Sequence, residues 1–155
     1  MRASNINYIV WHCSATESNK DIGFKEIDKM HRDKGWNGCG YHFIIRLDGT
    51  IEIGRNLDRQ GAHVGGVGHN HDSWGICIVG GLLNGEPTNT MTDSQSFSLE
   101  KITRGLLLRA PDAEVLGHRD LSPDLDGDGI VEKHEWLKQC PCFDSRLVWK
   151  QMLRG

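Results

Sequence analysis

Ile6-Asn7-Tyr8-Ile9-Val10-Trp11-His12 is the stretch on which the fold turns. Its β-branched and aromatic residues predict a mostly buried strand whose end delivers His12. Residues Lys20 to Lys34 follow with Phe24, Ile27 and His31 on one helical face and Gly35 as a stop, which predicts a helix. Tyr41 to Leu47 and Thr50 to Ile53 are β-rich runs joined by Asp48-Gly49, a strong hairpin signal. Gly61 to Asp72 is too rich in glycine and histidine to be an element and is expected to be a loop, before a strand from Trp74 to Val79. Thr92 with Gln95 forms a capping box, after which Leu99, Ile102, Leu106 and Ala110 recur at helical spacing until Pro111. Glu114 to Leu116 predicts a short strand ending near His118. A last helix is expected from Asp144, its N-cap, to about Met152, with Phe143 stapled on Val148. Strands alternating with helices predict an α/β domain, a central mixed sheet flanked by helices.

The 155 residues have room for one domain with a real core, spanning 1–155, and show no repeat or linker. A net charge of −3 excludes the strongly basic balance of a nucleic-acid binder. No apolar run approaches the roughly 18 residues that cross a bilayer, so membrane insertion is not expected. The first residues lack the apolar segment of a secretory signal, so synthesis is expected to leave the protein in the cytoplasm. With five cysteines in such a chain, metal ligation or plain burial is favoured over a disulfide framework, and eight histidines raise the expectation of a metal or acid–base site.

His12 and His118 both stand where a predicted strand runs out, the place from which an α/β sheet presents functional groups to a crevice. Cys140 and Cys142 flank Pro141 just before the last helix. Two imidazoles and one thiolate would leave a fourth position on zinc open for water, which is the catalytic pattern. The separation of His12 from His118 does not by itself put them in one site. Tyr41 and Lys138, taken alone, read as an amphipathic strand residue and a solvated charge rather than as functional groups.

The strings Trp11-His12-Cys13-Ser14-Ala15-Thr16, His31-Arg32-Asp33-Lys34-Gly35-Trp36 and Gly40-Tyr41-His42-Phe43-Ile44-Ile45 together resemble the zinc-dependent type 2 N-acetylmuramoyl-L-alanine amidases. Gly61-Ala62-His63, Val79-Gly80-Gly81, Gly117-His118-Arg119-Asp120 and Cys140-Pro141 with Phe143-Asp144 extend the likeness along nearly the whole chain. Within that family the chain is most similar to the short phage lysozymes that act as amidases, relatives of the peptidoglycan recognition proteins. The resemblance implies that His12, His118 and Cys140 ligate zinc, that Tyr41 and Lys138 are the catalytic side chains, and that His63 faces substrate. Where the family usually has a small residue, this chain has Cys142, which leaves two thiols to choose between.

The stretch from about Leu121 to Trp136 has no counterpart in that likeness and reads as an insertion. From Asp124 it places Asp124, Asp126, Asp128, Ile130, Glu132 and Glu135 at positions 1, 3, 5, 7, 9 and 12 of an EF-hand-like calcium loop, with Gly129 at position 6. An exiting helix is expected over Glu132 to Gln139.

The reading that follows is an amidase of bacterial peptidoglycan, with catalytic Zn²⁺ and structural or regulatory Ca²⁺. A phage endolysin is the expected identity, because a lone catalytic domain with no signal and no separate wall-binding module suits release through a phage lysis system; it is expected to be a monomer, made in the host cytoplasm and acting on the wall in the periplasm. Rival classes are a non-catalytic peptidoglycan-binding protein, against which the presence of Cys140, Tyr41 and Lys138 argues, and an amidase with a second role as a regulatory partner of a polymerase.

Overall fold

A computed structural model describes residues 1–155. The opening run forms β1 (Tyr8–Cys13), in which Ile9, Val10 and Trp11 are fully buried. After it come β2 (Thr16–Glu17), α1 (Phe24–Asp33), β3 (Phe43–Ile45), β4 (Ile51–Ile53), β5 (Ser73–Ile78), β6 (Gly81–Leu83), β7 (Glu86–Pro87), α2 (Asp93–Arg109), β8 (Glu114–Gly117) and α3 (Ser145–Arg154). The main sheet has the order β4-β3-β5-β1-β8, and β2, β6 and β7 make a small second sheet. β1 runs parallel to both β5 and β8, β3 runs parallel to β5, and β4 returns antiparallel to β3. The sheet is therefore mixed, as the α/β reading expects.

Alternation along the strands sorts their side chains between two layers. Ile9 and Trp11 of β1 join Trp74, Ile76 and Ile78 of β5 in a core with Leu99 and Leu106 of α2, against which Val148 and Trp149 of α3 pack. On the opposite face Ile44 and Cys77 meet Ile27 of α1. Val10 lies on that second face with Val64 and Leu116, and by the same alternation so does His12.

Local chemistry explains where elements start and stop. Thr92 caps α2 as expected: its Oγ1 accepts the Gln95 N–H (3.1 Å) while Gln95 Oε1 accepts the Thr92 N–H (3.0 Å). The buried Gln95 amide also donates to the Val79 carbonyl at 2.9 Å, tying the helix start to the end of β5. Asp144 caps α3 by accepting the Leu147 N–H at 3.1 Å. At the Asp48-Gly49 hairpin the Arg46 N–H donates to Thr50 O at 2.9 Å.

Three expectations need correction. The first helix begins at Phe24 rather than Lys20, because the Gly23 and Phe24 N–H groups are taken by the carboxylates of Glu26 and Glu52 at 2.8 and 2.9 Å. The hairpin strands are shorter than their β-rich runs. The helix expected over Glu132 to Gln139 is a single 3-10 turn, Lys133–Glu135, with Trp136 already extended (φ −64°, ψ 121°). Glu135 folds back to accept the N–H of Glu132 (2.8 Å) and so caps the turn, but Leu137, whose N–H would continue a helix, donates to Ser122 Oγ (3.0 Å) instead.

A prediction about the core follows from one buried pair. The fully buried Trp11 indole donates to Thr103 Oγ1 on α2 at 3.2 Å. Thr103→Val keeps the shape and orphans the indole N–H. It should lower unfolding free energy by about 1–3 kcal/mol in urea titrations, and a loss below about 0.5 kcal/mol would show that the bond contributes no more than water does.

Candidate active site

The site grows from strand register. Trp11 pairs with Gly117 across the β1–β8 ladder, so the next residues, His12 and His118, emerge side by side with ring centroids 4.8 Å apart. Gly117 is needed at that point: a Cβ there would lie 2.7 Å from Pro141 Cδ and 2.7 Å from Ser145 Oγ. This close approach brings the Cys140 segment over the strand ends, where the Arg119 N–H donates to Cys140 O at 2.9 Å. Cys140 Sγ in turn accepts the Cys13 N–H at 3.1 Å and stands 3.8 Å from His12 Nδ1.

One ligand atom from each of His12, His118 and Cys140 lies within 4.8 Å of the other two. Tetrahedral zinc with bonds of about 2.0 Å to nitrogen and 2.3 Å to sulfur puts its ligand atoms about 3.6 Å apart. The 3.8 Å between His12 Nδ1 and Cys140 Sγ matches that edge, and the donor set of two imidazoles and a thiol suits zinc. Cys142 is outside the cluster. Its Sγ sits 3.9 Å from Cys13 Sγ, on a residue of positive φ (74°).

The three groups form the floor of a cleft of 210 Å³ that Tyr41, Lys138 and Trp36 also line. The Tyr41 ring stands 5.1 Å from that of His12, and burial, followed by neighbouring thiols, raises its pKa well above 10, so the phenol keeps its proton. Lys138 reaches the cleft from the exposed segment just before Cys140. His31 supports the Tyr41 side of the cleft by accepting the Gly40 N–H at 2.8 Å.

His63 lines the cleft but is only 6% exposed, and both ring nitrogens are committed to protein atoms: Nδ1 to His12 Nε2 (2.8 Å) and Nε2 to Ser73 Oγ (3.1 Å). In this structure both ring nitrogens are thus engaged within the protein, while the ring still lines the cleft. Ser73, and Asn70 whose Oδ1 holds the His63 and Val64 N–H groups, escaped sequence reasoning. The available signal was the alternation Ser73, Gly75, Cys77, which puts Ser73 on the site face of β5.

In the insertion the structure brings Asp124, Asp126 and Glu135 together, one carboxylate oxygen from each within 4.8 Å of the others. Glu132 groups instead with Asp126 and His134. Asp128 belongs to neither set, and its carboxylate accepts the Ile130 N–H at 2.9 Å. Glu135 is buried and also accepts the Leu125 N–H at 2.7 Å. The insertion is clamped at its base, where the Arg119 guanidinium lies 3.9 Å over the Trp136 ring.

Comparison with known proteins places the chain in a family. The family model described as N-acetylmuramoyl-L-alanine amidase matches residues 2–141. An endolysin of Enterobacteria phage K11 is 40% identical over 134 residues, 86% of this chain and 78% of that protein. Peptidoglycan recognition protein 1 of Bos taurus is 34% identical over 114 residues, 72% of this chain and 57% of the relative. The solved structure of the N-acetylmuramoyl-L-alanine amidase LysC from Clostridium intestinale URNW superposes with a TM-score of 0.72 at 28% identity, covering 98% of this chain and 85% of that one. No helix of the structure is long and apolar enough to cross a membrane.

Two buried histidines, His42 and His118, also predict a pH dependence. Burial lowers His42, whose Nε2 contacts Arg59 O at 2.8 Å, from 6.5 to about 4. His118 falls to about 4 through burial and then the charge of Lys138. The unfolded chain therefore binds more protons between pH 6.5 and 4, and native stability is full above that window and falls as pH drops through it. Urea unfolding of the metal-free protein should lose about 1.4 kcal/mol per pH unit for each such histidine, with a shallower slope in His42→Gln. A flat profile would contradict the assignment.

Proposed function

The chain belongs to the N-acetylmuramoyl-L-alanine amidase family, and on that premise we propose that it is a zinc-dependent peptidoglycan amidase that cleaves the bond between the lactyl group of N-acetylmuramic acid and the L-alanine of the stem peptide. The observation that carries the proposal is the convergence of His12, His118 and Cys140 on the floor of a cleft that Tyr41 and Lys138 overlook. His12 Nδ1, His118 and Cys140 would hold the metal, which when bound supplies Lewis-acid chemistry and an acidified water.

The chain's own groups do the rest. The cleft receives the lactyl-alanine amide, with Trp36, 40% exposed, offering an apolar wall. The Tyr41 phenol, held protonated, donates a hydrogen bond to the carbonyl oxygen as negative charge develops on it. The Lys138 ammonium, which also lines the cleft, adds a positive charge there.

Host lysis by a phage endolysin is the biological role we assign, with synthesis in the host cytoplasm and action on the wall. The name and 40% identity of the phage K11 relative support it. The whole of 1–155 serves as one catalytic unit, acting as a monomer.

Mass spectrometry of digested peptidoglycan, paired with metal analysis, tests the chemistry. Free stem peptides beginning with L-alanine, with glycan strands intact, are the expected products; intact muropeptides that merely co-sediment with the protein would indicate a binding protein instead. His118→Ala should lose both stoichiometric zinc and lysis, whereas Cys142→Ser should keep its zinc. Tyr41→Phe and Lys138→Ala should keep zinc while turnover falls about 10²- to 10³-fold. Normal turnover in both would remove their assigned roles.

Calcium completes the proposal. The loop pattern from Asp124 to Glu135 and the three adjacent carboxylates support one bound Ca²⁺, with Asp124, Asp126, Asp128, the Ile130 carbonyl, Glu132 and Glu135 as the ligand set. Neutralising these charges would steady the base of the insertion, where Trp136 stacks on Arg119 beside His118 and Leu137 bonds Ser122. Lys138 and Cys140 follow directly. Calorimetric titration of the zinc-loaded protein should show one Ca²⁺ taken up, lost in Asp124→Ala/Glu135→Ala, and melting temperature should rise with added Ca²⁺. Absence of uptake by the native protein would refute the loop assignment.

A further inference from the structure

We propose that His63 and Ser73 are positioning residues that hold the His12 imidazole in the tautomer whose bare Nδ1 faces Cys140, so that the ligand is set before any metal arrives. The proposal rests on the zinc reading above and concerns residues to which nothing in that reading gives a role.

The direction of the relay is fixed from its far end. Ser73 Oγ contacts the His69 carbonyl at 2.6 Å, and a carbonyl only accepts, so the single hydroxyl proton of Ser73 goes there. Ser73 Oγ, 3.1 Å from His63 Nε2, must then accept, and His63 carries its proton on Nε2. His63 Nδ1 is left as a bare acceptor 2.8 Å from His12 Nε2. A neutral imidazole has one N–H, so His12 carries its proton on Nε2 and presents a lone pair at Nδ1, the atom 3.8 Å from Cys140 Sγ. Reversing the relay would put a proton on the very atom that has to bind metal, and would leave the His69 carbonyl facing a lone pair.

The relay is built rigidly. Ser73 is fully buried at the start of β5, and the Asn70 side chain fixes the backbone of His63 and Val64. The ring of His63 fills space that a side chain at position 75 would need: a Cβ there would lie 2.6 Å from His63 Cγ. Donation from the ligating imidazole to an outer acceptor also raises its basicity, and removing such partners typically costs about 10- to 100-fold in metal affinity.

The test uses metal-free protein and reads the tautomers by two-bond ¹H–¹⁵N correlation at mildly alkaline pH, with zinc affinity measured separately against a competing chelator. Wild-type protein should show His12 protonated at Nε2. Ser73→Ala, which removes one hydroxyl and leaves the fold intact, and His63→Leu should both populate the Nδ1-protonated form, and His63→Leu should bind zinc about 10- to 100-fold more weakly. His63→Asn, whose side-chain oxygen reaches the place of Nδ1, should restore the wild-type tautomer and most of the affinity. An unchanged His12 tautomer in both Ser73→Ala and His63→Leu would overturn the proposal, as would His63→Asn behaving like His63→Leu. A wild-type protein that shows the expected tautomer but no zinc affinity would sink the zinc reading while leaving the relay standing, so the two failures are distinct.

Discussion

The ladder between β1 and β8 is the interaction on which the site depends. Parallel pairing sets Trp11 against Gly117 and thereby places His12 and His118 next to each other, although they lie far apart in sequence. Side chains alternate faces along a strand, so a slip of one residue would turn His12 into the helical core and bring Trp11 into the cleft. The register is protected from both sides, because Ile9 and Trp11 are buried against α2 and α3 while Val10 packs with Leu116 and Val64. Hydrophobic burial thus fixes polar geometry, and the imidazoles need no contribution of their own to find each other.

Much of the frame was legible because it is encoded locally. The apolar run ending at His12, the Asp48-Gly49 turn, the Thr92–Gln95 box and the Asp144 cap each state their structure within a few residues. The candidate ligand set comes from the family resemblance, since histidines at two strand ends and a cysteine before the last helix do not by their spacing share a site; the fold brings the three together. What stayed hidden was set by partners distant in sequence. The residues after Asp124 carry a loop pattern that suggests a helix to follow, yet the Leu137 donor is claimed by Ser122. The small second sheet, closed by a turn at Asn84-Gly85 with both residues at positive φ, consists of strands too short for periodicity to register. The roles of His63 and Ser73 could not be read because alternation assigns a face and not a neighbour.

Electrostatics and fold work together in the cleft. Burial keeps His12 and His63 neutral by driving their pKa well below 6.5, and neutral imidazoles are what coordination and a directed hydrogen-bond chain both require. The same burial keeps Tyr41 a donor. Burial of the floor would therefore suit both the proposed metal binding and the proposed donation from Tyr41.

The clamp at the foot of the insertion has a consequence of a different kind. With Leu137 bonded to Ser122 and Trp136 lying on Arg119, the intervening residues form a closed excursion whose two ends are fixed beside the cleft. Chain length inside such an excursion is nearly free, since each doubling costs only about 0.6 kcal/mol of closure entropy. The segment is thus an exchangeable cassette: a different sequence, such as a wall-binding epitope, can be grafted between Ser122 and Trp136 without redrawing the floor of the cleft.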